Sequence, residues 1–541
     1  MKRVIAFILI LSLCLSLAAC GGTGNKTDNY TELTLVAPAP TQTPTEPPID
    51  PFTVDDGLVD STNDIVIDFY EFLDQKNAEH KAVLDTTYSD KWYKQYTPDF
   101  HDTLDLVSKE EAEKLLSSRV RSPEAWWCSK DDALKDVELL FRVLKSFYGP
   151  YYYFGGEEAF DAAEERILAE IENKPEKFKI AEFAECIAKK LDFVLDRHFG
   201  VGENNNLCDI NNITVYDFYV KDLYFYQDDV GYFTKINDRK WYIQQVGTDA
   251  NFLDYFQITV DGKGQLCYCL LLCEPKTGLH TSIHDITLSR GERSVTLPIA
   301  WKMYLQRANL DLKISEKIST KDNIPLLRVR FGSSTSGTDR DDQAQRLRVM
   351  GRDFLSQDVF IYDFVSGSGC QALFDSIRHQ NVELSLYRFS NLASDLGRWN
   401  MPWDIAGRGE YGVRYFKGIW GKNDTLAFTV QDKTDFSAPS LSIANIRAIE
   451  NSLTIGGSTG GSVGPGGSIN QSMVLYNTGM LVEFGAALQI VAGYTEDGYC
   501  IEPDIWYEPR EAAEAAYRIC EFYGIENTVD TSTLAQYNYG E

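Results

Sequence analysis

A serine hydroxyl becomes a nucleophile only when a base takes its proton and fixed donors receive the oxyanion that forms. Ser437 stands where such an arrangement could be built. It lies in Asp432-Lys433-Thr434-Asp435-Phe436-Ser437-Ala438-Pro439-Ser440, on a turn between a strand-like run at 425–430 and a helical stretch ending at Ile449. Such a turn can expose Oγ and aim backbone N–H groups at a carbonyl. It can equally make Ser437 a helix N-cap, a role serine favours. Candidate bases are few: the six histidines are His80, His101, His198, His280, His284 and His379. His198 follows a helical stretch in Leu195-Asp196-Arg197-His198-Phe199-Gly200. An imidazole near its ordinary pKa suits proton transfer there, though it could also serve only the helix dipole. A third group would have to orient the ring. Glycine-rich loops follow two apolar runs, at Gly367-Ser368-Gly369 and at Gly456-Gly457-Ser458-Thr459-Gly460-Gly461. Glycine lets a backbone approach a substrate closely. No phosphate loop, dinucleotide fingerprint or His-rich metal motif occurs, so neither cofactor nor metal is expected.

These residues need elements to hold them. Residues 64–200 read as mostly helical. Leu134, Val137, Leu140, Phe141, Leu144 and Phe147 recur at helical spacing and stop at Gly149-Pro150. The stretches 157–172 and 181–195 repeat that character. Residues 201–298 change to short strands, at 230–233, 256–260 and 286–288, with turn signals such as Asp261-Gly262. From 299 onward strands and helices alternate: a buried strand at 359–364, a helix near 371–380, a strand at 425–430, a helix to Ile449 and a strand at 453–455. That rhythm argues an α/β core. The expected organisation is a leader at 1–19, a Thr/Pro-rich tether at 20–62, a helical domain at 63–200, a β-rich module at 201–298 and an α/β core at 299–541.

Composition narrows the function. The 541 residues are 44% hydrophobic and 13% aromatic, enough for sizeable buried cores. Eighty acids against 52 bases give a net charge of −28, which repels phosphate and argues against nucleic acid as a partner. Lys2 and Arg3 precede an apolar run at 4–19, short for a membrane span and shaped like a secretory leader. Beyond Cys14 and Cys20, nine cysteines remain, an odd number that cannot all pair. Cys267, Cys269 and Cys273 lie in one apolar run without paired Cys-x-x-Cys knuckles, so they read as buried thiols. One or two disulfides stay open in an oxidising compartment.

Two resemblances sharpen this reading. Leu17-Ala18-Ala19-Cys20 resembles the lipobox of bacterial lipoproteins. It implies cleavage before Cys20, a diacylglyceryl group on its thiol, and anchoring on the extracytoplasmic face of the membrane. The C-terminal third resembles the tail-specific, C-terminal processing serine peptidases, a superfamily that includes the tricorn core and folds like ClpP and crotonase. Ile361-Tyr362-Asp363-Phe364-Val365-Ser366-Gly367-Ser368-Gly369 is similar to its D-L-R-x-N-x-G-G strand and loop. Asp432 to Ser440 is similar to the T-x-S-A-x-E nucleophile loop. Ile455 to Ser462 is similar to I-G-E-x-T-x-G, and Gly498-Tyr499-Cys500-Ile501-Glu502-Pro503-Asp504-Ile505 to the closing G-[IV]-x-P-D-[IV].

The resemblance implies an endopeptidase acting on peptide or protein through an acyl-enzyme. Ser437 would be the nucleophile, with oxyanion donors at Ala438 and in the Gly367–Gly369 loop. Many relatives pair the serine with a lysine after the third motif, where this chain has Ser462 and no lysine from 456 to 467. Relatives of the tricorn type use a histidine in D-G-H, which Asp196-Arg197-His198 resembles. Their orienting acid lies just before P-D, at Asp497 or, one residue earlier, Glu496. The β-rich module is PDZ-like by position only. Val365, Gly367, Ser368 and Ser440 depart from the motif residues. They motivate an alternative, a catalytically inactive peptide-binding lipoprotein. Nine Trp and thirty Tyr motivate a third reading, a carbohydrate-binding lipoprotein.

Overall fold

The computed structural model describes residues 56–86, 126–202, 206–211, 214–275, 283–307, 315–330, 337–365, 372–375, 386–390, 412–416, 418–461, 466–491, 493–494 and 500–537, with Phe52 and isolated positions between 95 and 123. Four helices come first: α1 (Phe69–Asp85), α2 (Lys130–Phe147), α3 (Gly156–Glu172) and α4 (Ile180–Lys190). Asp68 caps α1 by accepting from the N–H groups of Tyr70 and Glu71, and Ser129 caps α2 through Asp132 N–H. Of the α2 stripe expected from spacing, Val137, Leu140 and Leu144 are completely buried, Phe141 and Phe147 are buried, and Leu134 is half-buried. α4 is shorter than the 181–195 stretch suggested. After Lys190 the chain goes into turns, pinned by buried Leu191, Val194 and Phe199.

Strands follow: β1 (Gly200–Val201), β2 (Val215–Asp228), β3 (Tyr232–Ile236), β4 (Arg239–Val246), β5 (Phe256–Val260), β6 (Leu266–Pro275), β7 (Asp285–Arg290), β8 (Arg293–Pro298) and β9 (Trp301–Met303). Further along the chain come β10 (Ser315–Lys321), β11 (Ile324–Arg330), α5 (Gly337–Phe354), β12 (Val359–Val365), β13 (Leu386–Ser390), β14 (Gly412–Phe416), β15 (Leu426–Gln431), α6 (Ala438–Arg447), β16 (Ser452–Gly456), β17 (Gly466–Val474), β18 (Leu481–Val491), β19 (Ile505–Trp506) and α7 (Ala512–Tyr523). Where a helix was expected near 371–380, the described residues show a 3-10 turn at Ala372–Phe374.

The protein is mixed α/β, organised on one large mixed sheet. Its order is β8-β7-β4-β3-β2-β6-β5-β19-β16-β15-β12-β11-β10. From β11 through β12, β15, β16 and β19 to β5 the pairings are parallel. The strands of 201–298 therefore run on into the α/β core: Thr259 of β5 is in register with Trp506 of β19, and its hydroxyl donates to the Trp506 carbonyl at 2.6 Å. A smaller sheet, β14-β13-β18-β17, takes β1 against β18.

Parallel strands covered on both faces need apolar residues at every position. All of β12 is buried and its side chains divide by parity. Phe360, Tyr362 and Phe364 pack with α5 and α6, while Val359 and Ile361 pack with α1 and α7. A second core joins α2, α3 and α4 to Met473, Val482 and Phe484 of the smaller sheet. Of the β6 cysteines expected to be buried, Cys267 and Cys269 are, but Cys273 is exposed. β5 pairs with β6 only as far as Leu270, so Cys273 lies past the strand that covers the others. No described helix is long and apolar enough to cross a membrane.

Candidate active site

β15 delivers the chain to a sharp turn at Ser437, whose backbone sits at φ 65°, ψ −117° before α6 begins. A positive φ on a residue with a Cβ costs about 1–3 kcal/mol and persists only when its surroundings impose it. Here they do. Ser437 N–H donates to the Gly461 carbonyl at 3.1 Å, and Leu441 N–H to the Ser437 carbonyl at 3.1 Å. Phe436 and Gly461 form a parallel bridge, and Gly460 N–H donates to Asp435 O at 3.0 Å. The Ser440 hydroxyl also donates to the Asp435 carbonyl. The glycine-rich loop after β16 thus straps the turn from one side. Ser437 stands at the N-cap position of α6, but its side chain makes no capping hydrogen bond to the helix. Its Oγ lies instead 2.9 Å from His198 Nε2.

His198 belongs to the turns after α4 rather than to a helix end. Fully buried Phe199 anchors it from behind. Asp196, itself buried, accepts the His198 backbone N–H at 2.9 Å and the Tyr148 hydroxyl at 2.9 Å. Its Oδ1 is 3.8 Å from His198 Nδ1, too long for a hydrogen bond but close enough to favour a positive ring. The imidazole ring lies against the Phe436 ring, centroids 5.2 Å apart. The neighbouring Arg197 guanidinium covers Phe436 at 5.0 Å and donates to the Gly460 carbonyl. Burial lowers the His198 pKa below its ordinary value and Arg197 adds to this, while Asp196 opposes it. The ring is therefore neutral near pH 7 and can accept a proton.

Below the turn lies a buried ion network. Arg307, on the connector that follows β9, reaches Asp363 of β12 at 2.9 Å, Asp432 at 3.2 Å and Asp435 at 2.6 Å. It also donates to the carbonyls of Phe364 at 2.6 Å and Val430 at 3.1 Å. Arg328 and Arg330 join Asp363 from β11 at 2.7 and 3.1 Å. Burial and the arginines act oppositely on these acids. The arginines win at Asp363, whose pKa is held well below the usual carboxylate range. Burial wins at Asp435, pushed up to about 7. A second acid, Asp217 of β2, receives Ser458 N–H at 2.9 Å and Ser458 Oγ–H at 2.6 Å. It secures the loop that straps Ser437.

Of the residues singled out in the sequence, Ser437, Ala438 and His198 are brought together. Gly367, Gly369, Glu496, Asp497, Ser462 and Cys20 lie outside the described residues. Sequence reasoning missed Arg307, Asp217 and Tyr148. One signal was available: Asp363 is an acid inside an otherwise apolar strand, and a buried charge requires a partner. Among the described residues no group of three His, Cys, Asp or Glu could hold a metal.

No family model matches the chain, and no curated protein matches it. Among solved structures it is similar to mature CPAF, with 11% identity, 73% of this chain and 96% of that one covered, and a TM-score of 0.36. It is also similar to the photosystem II D1 C-terminal processing protease, with 12% identity, 73% and 97% covered, and a TM-score of 0.32. A third is a putative S41 protease from Bacteroides fragilis, with 12% identity, 59% and 88% covered, and a TM-score of 0.28. Likenesses this distant carry no argument about function, which stands on the geometry of the site.

Proposed function

We propose that the chain is a serine endopeptidase of the tail-specific type, anchored by lipid on Cys20 to the extracytoplasmic face of the membrane. The observation that carries the reading is the 2.9 Å approach of Ser437 Oγ to His198 Nε2, from a turn with a positive φ. In this reading Ser437 Oγ attacks a peptide carbonyl carbon while His198 Nε2 takes its proton. The carbonyl oxygen becomes an oxyanion held by Ala438 N–H, at the start of α6, and by donors in the Gly367–Gly369 loop. His198 then gives the proton to the departing amine, leaving an acyl-enzyme. Water, activated by the same ring, releases the acyl group and restores the serine. Asp497 or Glu496 is the proposed acid on Nδ1, and Asp196 adds negative charge as the imidazolium forms. No cofactor enters these steps.

The test is covalent labelling. Protein beginning after the tether is treated with a fluorophosphonate and the modified residue is mapped by mass spectrometry, alongside His198→Ala. Labelling at Ser437 that collapses without His198 supports the reading. Folded protein that stays unlabelled while binding peptide would favour the inactive relative.

A further inference from the structure

We infer that Arg307 is a positioning residue that sets the Ser437 turn relative to the end of β12; this rests on the peptidase reading above. The two groups of oxyanion donors in that reading come from different strands. The Gly367–Gly369 loop leaves β12, whose end is Phe364-Val365, and Ala438 follows β15. One guanidinium spans both exits. Arg307 Nη1 donates to Asp363 Oδ1 at 2.9 Å and Phe364 O at 2.6 Å on the β12 side, and to Val430 O at 3.1 Å on the β15 side. Nη2 donates to Asp435 Oδ2 at 2.6 Å, two residues before Ser437, and to Asp432 Oδ1 at 3.3 Å. The Arg307 backbone N–H also donates to Asp432 Oδ2. Asp435 passes the constraint on: its carboxylate accepts Asp432 N–H at 2.9 Å, and its carbonyl accepts Gly460 N–H and the Ser440 hydroxyl.

Only a planar fork can make these bonds at once. An ammonium is a point donor on a flexible stem and would keep the charge without the span. The arginine itself comes from neither strand. It sits just beyond β9, so the segment leading out of the β-rich strands supplies the tie between the end of β12 and the Ser437 turn. The cluster is 4% exposed at Arg307, 4% at Asp363, 1% at Asp432 and 0% at Asp435, which leaves water no role in replacing it.

The experiment measures folding, kcat and KM on a peptide substrate, and the rate of fluorophosphonate labelling at Ser437. It compares wild type, Arg307→Lys and Asp435→Ala. Wild type must label at Ser437; otherwise the peptidase reading fails before Arg307 is in question. A displacement of about 1 Å at reacting groups costs on the order of 100-fold in rate. Arg307→Lys is therefore expected to lose on the order of 100-fold in kcat and in labelling rate, with KM within about threefold and near-ultraviolet circular dichroism unchanged. Should Arg307→Lys not fold, Asp435→Ala decides. It cuts the tie to the turn and leaves the bonds to Asp363 and Phe364, and the same fall in kcat is expected. Folded Arg307→Lys, or failing that Asp435→Ala, with kcat within twofold of wild type overturns the inference. So does a loss confined to KM.

Discussion

Gly460 offers a test of the strap that holds the Ser437 turn. A Cβ at this position would lie 2.5 Å from the Lys433 carbonyl oxygen, 2.8 Å from Phe436 Cβ and 3.2 Å from Phe436 Cα. Ordinary contact begins at 3.4 Å, so the shortfall against Lys433 is 3.4 − 2.5, or 0.9 Å. Two of the three atoms are backbone, and the third is fixed to it. No side-chain rotation relieves the clash. Either the glycine-rich loop retreats or the 433–436 segment does, and both alter the Ser437 N–H···O bond to Gly461. Overpacking of this kind costs about 1–3 kcal/mol, which the folded chain can absorb. The displacement is near the 1 Å that misplaces reacting groups, so Gly460→Ala should retain its fold and lose on the order of 100-fold in kcat. Gly262→Ala is the control, because a Cβ there meets nothing within 4 Å. Peptide turnover and Ser437 labelling are read together. Wild-type kcat in Gly460→Ala would refute the claim that this loop sets the turn.

His198→Ala should lower kcat on the order of 10⁴- to 10⁶-fold. In wild type, the acid limb of kcat/KM should fall below pH 6.5, because burial lowers the His198 pKa from that value; a limb above 6.5 would contradict the assignment. Asp435 makes stability depend on pH in the opposite sense to a salt-bridged acid. Its folded pKa is raised from 3.8 to about 7, so the folded chain keeps a proton that the unfolded chain has already released. The contribution is favourable below pH 3.8 and is lost as pH rises through about 7. Asp435→Asn should flatten this fall in denaturant midpoints between pH 4 and 7, and an unchanged slope would count against it. Asp217→Ala removes two hydrogen bonds from Ser458 to a buried carboxylate, at about 1.5 kcal/mol or more each, so about 3 kcal/mol should disappear from urea unfolding. An unaltered midpoint would show that Asp217 does not secure the loop.

Local structure was legible where periodicity is strong. The α2 stripe and its Gly149-Pro150 stop, the strands β5, β12, β15 and β16, and the turn at Ser437 all follow from patterns spanning a few residues. Pairings between distant segments were not legible. β19 is two residues long, and nothing in Ile505-Trp506 announces β5, some 247 positions earlier, as its neighbour. α1 looks like part of a helical domain, yet Phe69 and Phe72 pack on the large sheet because their partners come from the last third of the chain. His198 was singled out by the likeness of Asp196-Arg197-His198 to D-G-H, while its setting was not legible: the helix stops at Lys190 because the residues beyond it bury three apolar anchors instead of continuing a stripe. Arg307 sits in Leu305-Gln306-Arg307-Ala308, which carries no local pattern. Its importance exists only once three acids converge on it, one from β12 and two from the turn that follows β15.

The docking of α1 has a consequence for when the molecule can finish folding. His80 of α1 approaches Asp504 at 2.8 Å across 424 positions of sequence, and the Tyr523 hydroxyl donates to the Ile67 carbonyl across 456. At about 5–20 residues per second of synthesis, roughly 20 to 85 s separate the emergence of the first pair's members. Through that interval Phe69, Phe72 and Leu73 lack the α7 residues Ala512, Ala516 and Ile519 that complete their core. The nascent chain must keep an apolar helix face and several unpaired parallel strands from associating with other molecules. Closure waits for residues 504 and 523, since long-range pairing is paid for in loop entropy before it is rewarded. A chain arrested in synthesis before residue 504 should therefore lack the His80–Asp504 contact and the α7 side of the α1 core, whatever the state of the helices that precede it.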